Sequence, residues 1–249
     1  MSMARLNKTV GCDTILTQII NKQNSKTEFA IKEYHMENPF RPTKEQLWKL
    51  FQNEFKLSTG KELIVNEETI KNFKTLIHYF LMDDEFFKSE NLHSMSSPSF
   101  DKGLFIVSGY GTGKTAYMKS LEQCCMKLRW NPFKLYSTNQ IVIDYESCAQ
   151  PLDKGEFFKK MKRGAICFDD LGTERVANNY GGVNLLKEIL EERYSANKIT
   201  HITCNYIEGD NNNVDATMMH LGETYGGRIH DRFFDMFNVV VFKGKSMRR

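Results

Sequence analysis

The sequence lacks the features that mark exported and membrane proteins. None of its apolar runs is long enough for a signal peptide or a membrane span, since the longest are of strand length. Its six cysteines show no spacing typical of a zinc site or a disulfide framework. Cys167 and Cys204 lie in apolar runs, and Cys124 and Cys125 lie in a predicted helix. These absences predict a cytoplasmic protein with reduced thiols and no membrane partner.

A strong charge excess is also missing. The chain of 249 residues carries 34 Lys and Arg against 31 Asp and Glu, a formal net charge of +3. That balance neither requires nor excludes a nucleic-acid partner. The length and the 41% hydrophobic content suit one α/β domain with a small appendage.

The first 60 residues are polar and Asn/Lys/Gln-rich at their start. They contain one amphipathic segment, "TKEQLWKLFQNEF", in which Leu47, Leu50, Phe51 and Phe55 recur at helical spacing. We therefore predict a helical N-terminal appendage over residues 1–60. Its apolar side chains either dock on the rest of the chain or bind a partner protein.

Residues 61–249 alternate between helical and strand patterns. Short apolar runs predict strands at "GLFIV", "FKLYST", "GAICFDD", "ITHITCN" and "NVVVFKG", and helical patterns such as "NLLKEILEERY" separate them. Five strands with intervening helices predict an α/β domain with a five-stranded parallel sheet covered by helices on both faces.

A glycine-rich loop, "SGYGTGKT" at residues 108–115, joins the first of these strands to a predicted helix. This strand-loop-helix context is the one that a phosphate-binding loop requires, although Ser108 stands where the usual pattern has glycine. Glycines let the backbone approach an anion, and the helix N-terminus favours negative charge. Lys114 is expected to reach the β- and γ-phosphates, and the Thr115 hydroxyl to hold Mg²⁺. The predicted nucleotide-binding residues are Gly109, Tyr110, Gly111, Thr112, Gly113, Lys114, Thr115 and Ala116.

Two acidic residues follow the apolar part of the strand "GAICFDD". Asp169 is the candidate for the magnesium side of the site, where it joins Thr115. Asp170 is the candidate to polarise an attacking water, a position at which many ATPases have glutamate. Glu174 is a weaker alternative base. The alternative to a catalytic role is that these are ordinary acidic residues at the end of a strand.

Two further candidates lie nearer the C-terminus. Asn205 ends the strand "THITCN", where its amide could orient a water molecule, although asparagine is also a common turn residue. Arg228 follows "GETYGG" at the start of a predicted helix, and Arg232 lies one turn further on. A solvated surface arginine is the alternative to a catalytic role for either.

The order of these segments resembles the AAA+ ATPases of the DnaC/IstB type, over residues 65–249. The segments are "GYGTGKT", "CFDDLGTE", "EERY", "TCN" and "YGGRIHDRFFDMFNVVVFKGKSMR". The resemblance implies Walker A at Lys114 and Thr115, Walker B at Asp169 and Asp170, sensor 1 at Asn205 and an arginine finger at Arg228. It also implies a reduced or absent helical lid, which puts a sensor 2 role for Arg248 in doubt.

On this resemblance the chain is expected to bind and hydrolyse Mg²⁺·ATP, to form an ATP-dependent homo-oligomer and to act in DNA replication. The expected partners are a DnaB-like replicative helicase, which it would load or remodel, and single- or double-stranded DNA. An IstB-like ATPase that recruits a transposase is the first alternative. A small-molecule kinase with a P-loop and a non-hydrolysing ATP-binding scaffold, the latter suggested by Asp170, are alternatives of another class.

Overall fold

The computed structural model describes residues 41–95, 97–179, 181–210 and 212–247. Residues 1–40 of the predicted appendage and Arg248 lie outside them. The helices are α1 (Lys44–Thr59), α2 (Glu67–Phe80), α3 (Lys114–Leu128), α4 (Thr138–Glu146), α5 (Pro151–Met161), α6 (Leu185–Ser195), α7 (Val214–Tyr225) and α8 (Gly227–Met236), with a 3-10 helix at Asp84–Lys88. The strands are β1 (Gly103–Ser108), β2 (Phe133–Ser137), β3 (Ala165–Leu171), β4 (Ala177–Asn178), β5 (Gly182–Val183), β6 (Thr200–Asn205) and β7 (Phe237–Val241).

Five strands form one parallel sheet in the order β2-β3-β6-β1-β7. The two short strands β4 and β5 pair separately as an antiparallel ladder. The register sets Ser108 of β1 beside Asn205 of β6, and Ser137 of β2 beside Asp169 of β3. The carboxyl ends of the strands therefore meet at one edge, and the predicted five-stranded parallel sheet is confirmed.

Helices cover both faces of this sheet. Leu104 and Ile106 of β1 lie in a core with side chains of α1, α2 and α3. Phe105 and Val107, which point to the opposite face, lie in a second core with side chains of α4 to α8. Because successive residues of a strand point to opposite faces, the fully apolar "GLFIV" run is the pattern that burial on both faces requires.

Helix α1 is the predicted amphipathic segment, and it docks on the domain that contains the phosphate loop. Its Leu47, Phe51 and Phe55 are buried, and the ring centroid of Phe51 lies 5.3 Å from that of Tyr117 in α3. The sequence left open whether these side chains dock on the rest of the chain or bind a partner protein, and in the structure they dock on the rest of the chain. Contacts within the chain divide it between Arg41 and Pro42, whereas the predicted boundary follows residue 60.

The described cysteines are Cys124, Cys125, Cys148, Cys167 and Cys204, and all five are free thiols. Within the described ranges, no group of three or more His, Cys, Asp or Glu side chains is placed to hold a metal ion. No helix in that part of the chain has the length and apolar character needed to cross a bilayer.

Candidate functional site

The glycine-rich loop connects β1 directly to α3, as the sequence predicts. Gly111 and Gly113 adopt left-handed backbone conformations, with φ of +78° and +93°. Gly113 is the N-cap residue of α3 and provides no side-chain cap, so the first N–H groups of the helix have no side-chain cap to bind them. A helix start of this kind is suited to an anion.

Lys114 lies buried in the centre of the loop, with 5% of its surface exposed. Its Nζ donates to Ser108 Oγ at 2.9 Å and to Asn205 Oδ1 at 2.9 Å, and also contacts the carbonyl oxygens of Ser108 and Gly109 at 3.3 and 3.2 Å. Oxygen atoms thus surround the ammonium group, and these hydrogen bonds offset part of the free-energy cost of removing it from water. Lys114 connects the loop to the end of β6.

Ser108, the departure from the usual loop pattern, is fully buried at the end of β1. Its hydroxyl bonds to the hydroxyl of Thr112 within the loop and accepts from Lys114. Thr112 also donates to the carbonyl of Gly109 at 3.2 Å. The serine therefore fits the loop and adds hydrogen bonds that a glycine could not make.

The Asp169 carboxylate lies beside the loop on β3 and is also nearly buried. One of its oxygens, Oδ1, accepts from the Thr115 hydroxyl at 3.1 Å and from the Thr203 hydroxyl at 2.6 Å. Burial raises the pKa of Asp169 above its ordinary value, and the hydrogen bonds from Thr203 and Thr115 oppose that rise. The two residues predicted to hold the metal, Thr115 and Asp169, are thus in contact.

Asp170 occupies an irregular part of β3, because the register with β6 shifts between Phe168 and Leu171. Its φ is +60°, an uncommon conformation for a residue other than glycine. Its N–H donates to Thr203 Oγ1 at 2.9 Å, and its Oδ1 accepts from Asn205 Nδ2 at 3.4 Å. Asp169 and Asp170 therefore both lie within β3, as in the predicted strand "GAICFDD", and the register shift falls at these two residues.

Thr203 was missed by the sequence reasoning. It lies fully buried in β6 and joins both acidic residues, since its hydroxyl donates to Asp169 and accepts from Asp170. A threonine in the apolar run "THITCN" is also an ordinary strand residue, so its type alone gives no signal.

A cavity of about 640 Å³ opens above the loop. Of the six predicted loop residues other than Lys114 and Thr115, Tyr110, Gly111, Gly113 and Ala116 line the cavity, whereas Gly109 and Thr112 do not. Lys114, Thr115, Asp170 and Asn205 line it too. The sequence did not predict the rest of the lining, which comes from Phe55, Ser58, Thr59, Lys61, Glu62, Ile64, Lys119, Thr173 and Met247.

Glu174, the alternative base, is held in a different network. One carboxylate oxygen accepts from the Gly172 N–H at 3.0 Å, and the other accepts from the Tyr225 hydroxyl. Burial and the neighbouring carboxylate raise the pKa of Tyr225. Glu174 does not line the cavity that Asp170 lines, so the geometry favours Asp170 as the acidic group facing a ligand.

The two candidate arginines differ in their surroundings. Arg228 is exposed in the first turn of α8. Arg232 is partly buried: its guanidinium lies 4.6 Å from the ring centroid of Tyr194 and 4.0 Å from Glu191. Neither lines the cavity of its own chain. Of the two, Arg228 is therefore the one whose side chain is exposed to solvent.

The residues of this site fit Mg²⁺ and a triphosphate. The Thr115 hydroxyl and the Asp169 carboxylate supply the hard oxygen ligands that Mg²⁺ prefers. The uncapped start of α3 and the Lys114 ammonium supply the donors and positive charge that phosphate oxygens need.

Comparison with known proteins supports the fold. Neither a family model nor a curated protein matches the sequence. The structure is similar to that of the DnaC helicase loader, with a TM-score of 0.54 and 17% sequence identity, covering 81% of this chain and 100% of that one. A DnaI structure is similar over 80% of this chain and 93% of its own, with a TM-score of 0.49 and 17% identity. The chain thus has the DnaC-like fold, and the predicted resemblance is confirmed at the level of the fold.

Proposed function

We propose that this chain is a DnaC-like AAA+ ATPase that binds Mg²⁺·ATP at the 108–115 loop and hydrolyses it. The observation that supports this most strongly is that three separate predicted segments meet in two hydrogen-bonded pairs, Lys114 with Asn205 and Thr115 with Asp169. Thr203 and Asp170 link the two pairs. The likeness to the DnaC helicase loader adds to this argument through the fold.

In this proposal each residue has a defined task. Lys114 and the loop N–H groups bind the phosphates, while Thr115 and Asp169 hold Mg²⁺, which neutralises charge on the phosphate oxygens. Asp170 accepts a proton from, or orients, the attacking water, and Asn205 fixes the Asp170 carboxylate through its amide. Thr203 positions both acidic residues.

Arg228 is proposed to act on the nucleotide of a neighbouring subunit in an ATP-dependent homo-oligomer. An arginine inserted from outside can stabilise the charge that develops during phosphoryl transfer. Its exposure on α8 supports this role. Arg232 is less suited to it, because Tyr194 and Glu191 already hold its guanidinium.

Mixing two inactive variants tests the whole proposal through phosphate release. Lys114→Ala should not bind ATP, and Arg228→Ala should bind it but turn over slowly. Their mixture should recover activity, because an intact loop can then meet an intact arginine. Arg232→Ala is the matched control and should keep most of the wild-type rate. No recovery in mixtures that co-sediment with ATP would refute the assignment of Arg228, and no wild-type turnover with DNA and a helicase would favour the scaffold alternative.

The proposed biological role is in DNA replication in the cytoplasm, with a DnaB-like hexameric helicase as the partner that is loaded or remodelled. A transposition ATPase that recruits a transposase remains the second candidate within the same chemistry. The partners are separable by pull-down of the intact protein followed by mass spectrometry. Recovery of a transposase in place of a helicase would contradict the first candidate.

A basic groove supports a nucleic-acid partner. It has a volume of about 570 Å³ and is lined by four cationic residues against one acidic residue, Glu156. The cations are Lys134, Lys159, Lys160 and Arg163, and the Lys160 ammonium lies 5.1 Å from the Tyr136 ring centroid. Phosphates and stacked bases suit such a surface. The groove includes the first residues of β2 and β3, at the end of the sheet opposite the phosphate loop.

Fluorescence anisotropy with a labelled single-stranded oligonucleotide tests this surface. Lys134→Glu and, separately, Arg163→Glu should each weaken binding and flatten its dependence on salt concentration, because fewer counterions are released. Lys49→Glu, an exposed substitution on α1 that changes the net charge by the same amount, is the matched control for each variant. Equal weakening by Lys49→Glu would indicate a general charge effect and would contradict binding in the groove.

A further inference from the structure

The segment that follows β7 crosses the outer side of the phosphate loop. Phe242 N–H donates to the carbonyl of Val107 at 3.0 Å, and Met247 N–H donates to the carbonyl of Gly111 at 2.8 Å. We call residues 243–247 the strap. It connects the last strand of the sheet to the loop that surrounds Lys114.

A buried asparagine anchors the beginning of the strap. Asn72 of α2 accepts from the Lys243 N–H at 3.1 Å and donates to the Lys243 carbonyl at 2.8 Å. Asn91, also buried, donates to the same Asn72 oxygen at 2.9 Å. Two hydrogen bonds therefore hold the strap to Asn72 where it leaves the sheet, and a third holds Asn72 itself. An asparagine with both groups bound is a specific anchor rather than a solvated side chain.

The far end of the strap is packed against the two loop glycines. A Cβ at Gly111 would overlap the Ser246 side chain, and a Cβ at Gly113 would lie 2.8 Å from Met247 Sδ. Real Cβ atoms do not approach that closely. The absence of side chains at 111 and 113 thus lets the strap lie on the loop, in addition to allowing the left-handed backbone.

The bond from Met247 fixes the orientation of one loop peptide. The carbonyl and N–H of a trans peptide point in opposite directions, so a Gly111 carbonyl held by the strap directs the Thr112 N–H away from it. An anion nest works through such oriented N–H groups. The Met247 side chain also lines the cavity beside Gly113 and Lys114.

We propose that the strap is a positioning element that holds the phosphate loop in its anion-binding conformation through the Met247 N–H to Gly111 carbonyl bond. The proposal rests on nucleotide binding at this loop. Met247 affects phosphate affinity through its backbone N–H, and Asn72 sets the position of the strap.

Proline substitution removes the donor and leaves the chain intact, since proline has no N–H. Met247→Pro should weaken binding of both ATP and free tripolyphosphate by about three- to tenfold, the range expected for one hydrogen bond. Met247→Ala keeps the N–H, so its affinity for tripolyphosphate should stay within about twofold of wild type. Lys245→Ala, an exposed strap residue, is the matched control. Affinities are measured by calorimetry, with melting temperatures recorded without ligand.

The two ligands separate the possible results. An equal loss for ATP and tripolyphosphate in Met247→Pro, at an unchanged melting temperature, supports positioning of the loop. Wild-type affinity of Met247→Pro for both ligands, or a loss of affinity for ATP alone, would overturn the proposal. A loss for ATP alone would indicate that residue 247 contacts only the nucleoside part of the ligand. If Met247→Pro does not fold, a chain ending at Ser246 removes the same donor and takes its place. If the wild-type protein binds neither ligand, the proposed function itself is contradicted. That result is distinct from one that contradicts only the role of the strap, in which the wild type binds both ligands.

Discussion

Replacing Thr203 by valine should damage both the stability of the protein and its metal site. Valine has nearly the same shape but cannot donate to Asp169 or accept from the Asp170 N–H. A hydrogen bond to a charged group contributes about 1.5 to 3 kcal/mol, and an unpaired N–H costs about 1 to 3 kcal/mol. We therefore expect a loss of about 3 kcal/mol in the free energy of unfolding. For a domain of this size the melting temperature should fall by about 6 to 12 °C.

The same substitution should change the pH dependence. Folding raises the pKa of Asp169 above its ordinary value of 3.8, because burial disfavours the carboxylate. The folded state therefore holds this proton more tightly, so the contribution of Asp169 to stability is greatest below pH 3.8 and declines as pH rises through the folded pKa. Without the Thr203 hydrogen bond, that pKa rises further and the decline extends to higher pH. Mg²⁺ binding needs the carboxylate, so it should fail at a higher pH on acidification.

Urea unfolding from pH 3 to 8 and Mg²⁺-dependent ATP titration from pH 5 to 8 measure these effects. Thr203→Ser keeps the hydroxyl and loses one buried methyl group, so it should cost only about 1 kcal/mol and leave the pH profile of Mg²⁺ binding unchanged. If Thr203→Val and Thr203→Ser behave alike in both assays, the hydroxyl does not support the acidic pair and the reasoning is refuted.

Three other predictions follow from the placement of residues. Asp170→Asn should keep ATP affinity within about threefold and reduce turnover at least a hundredfold, since an amide cannot accept the proton; retained turnover would shift the base to Glu174. Deleting residues 1–41 should leave the melting temperature and ATP binding unchanged, whereas deleting residues 1–60 should destabilise the domain, because it uncovers the Tyr117 side of α3. Asn72→Ala should lower the melting temperature, since the Lys243 backbone and Asn91 lose their partner; thermal melts that match wild type would contradict that anchor.

Much of this site follows from the sequence because parallel strands end at a shared edge. Once the apolar runs before Ser108, Asp169 and Asn205 are identified as neighbouring parallel strands, proximity of their ends is expected. The structure confirms this parallel sheet, with Lys114 bonded to Asn205 and Thr115 bonded to Asp169.

Other features depend on register and chain path, which local patterns do not specify. The pairing of Phe168 with Ile202 places Thr203 beside Asp169, and the register shift that follows before Leu171 has no signal in the sequence. The strap depends on where the backbone goes after Val241, and nothing in "FKGKSM" indicates contact with Gly111. The amphipathic pattern of α1 shows that one face is apolar but not what covers it; Tyr117 is identified only by the fold.

Calorimetric titration of Mg²⁺·ATP into the intact protein tests the central claim, that the 108–115 loop is a nucleotide site. We predict saturable binding to one site per chain, competition by free tripolyphosphate, and loss of detectable binding in Lys114→Ala at an unchanged fold by circular dichroism. Removing Mg²⁺ with a chelator should weaken binding in wild type. Absence of binding in the wild type, or the same affinity in a folded Lys114→Ala protein, would contradict the account.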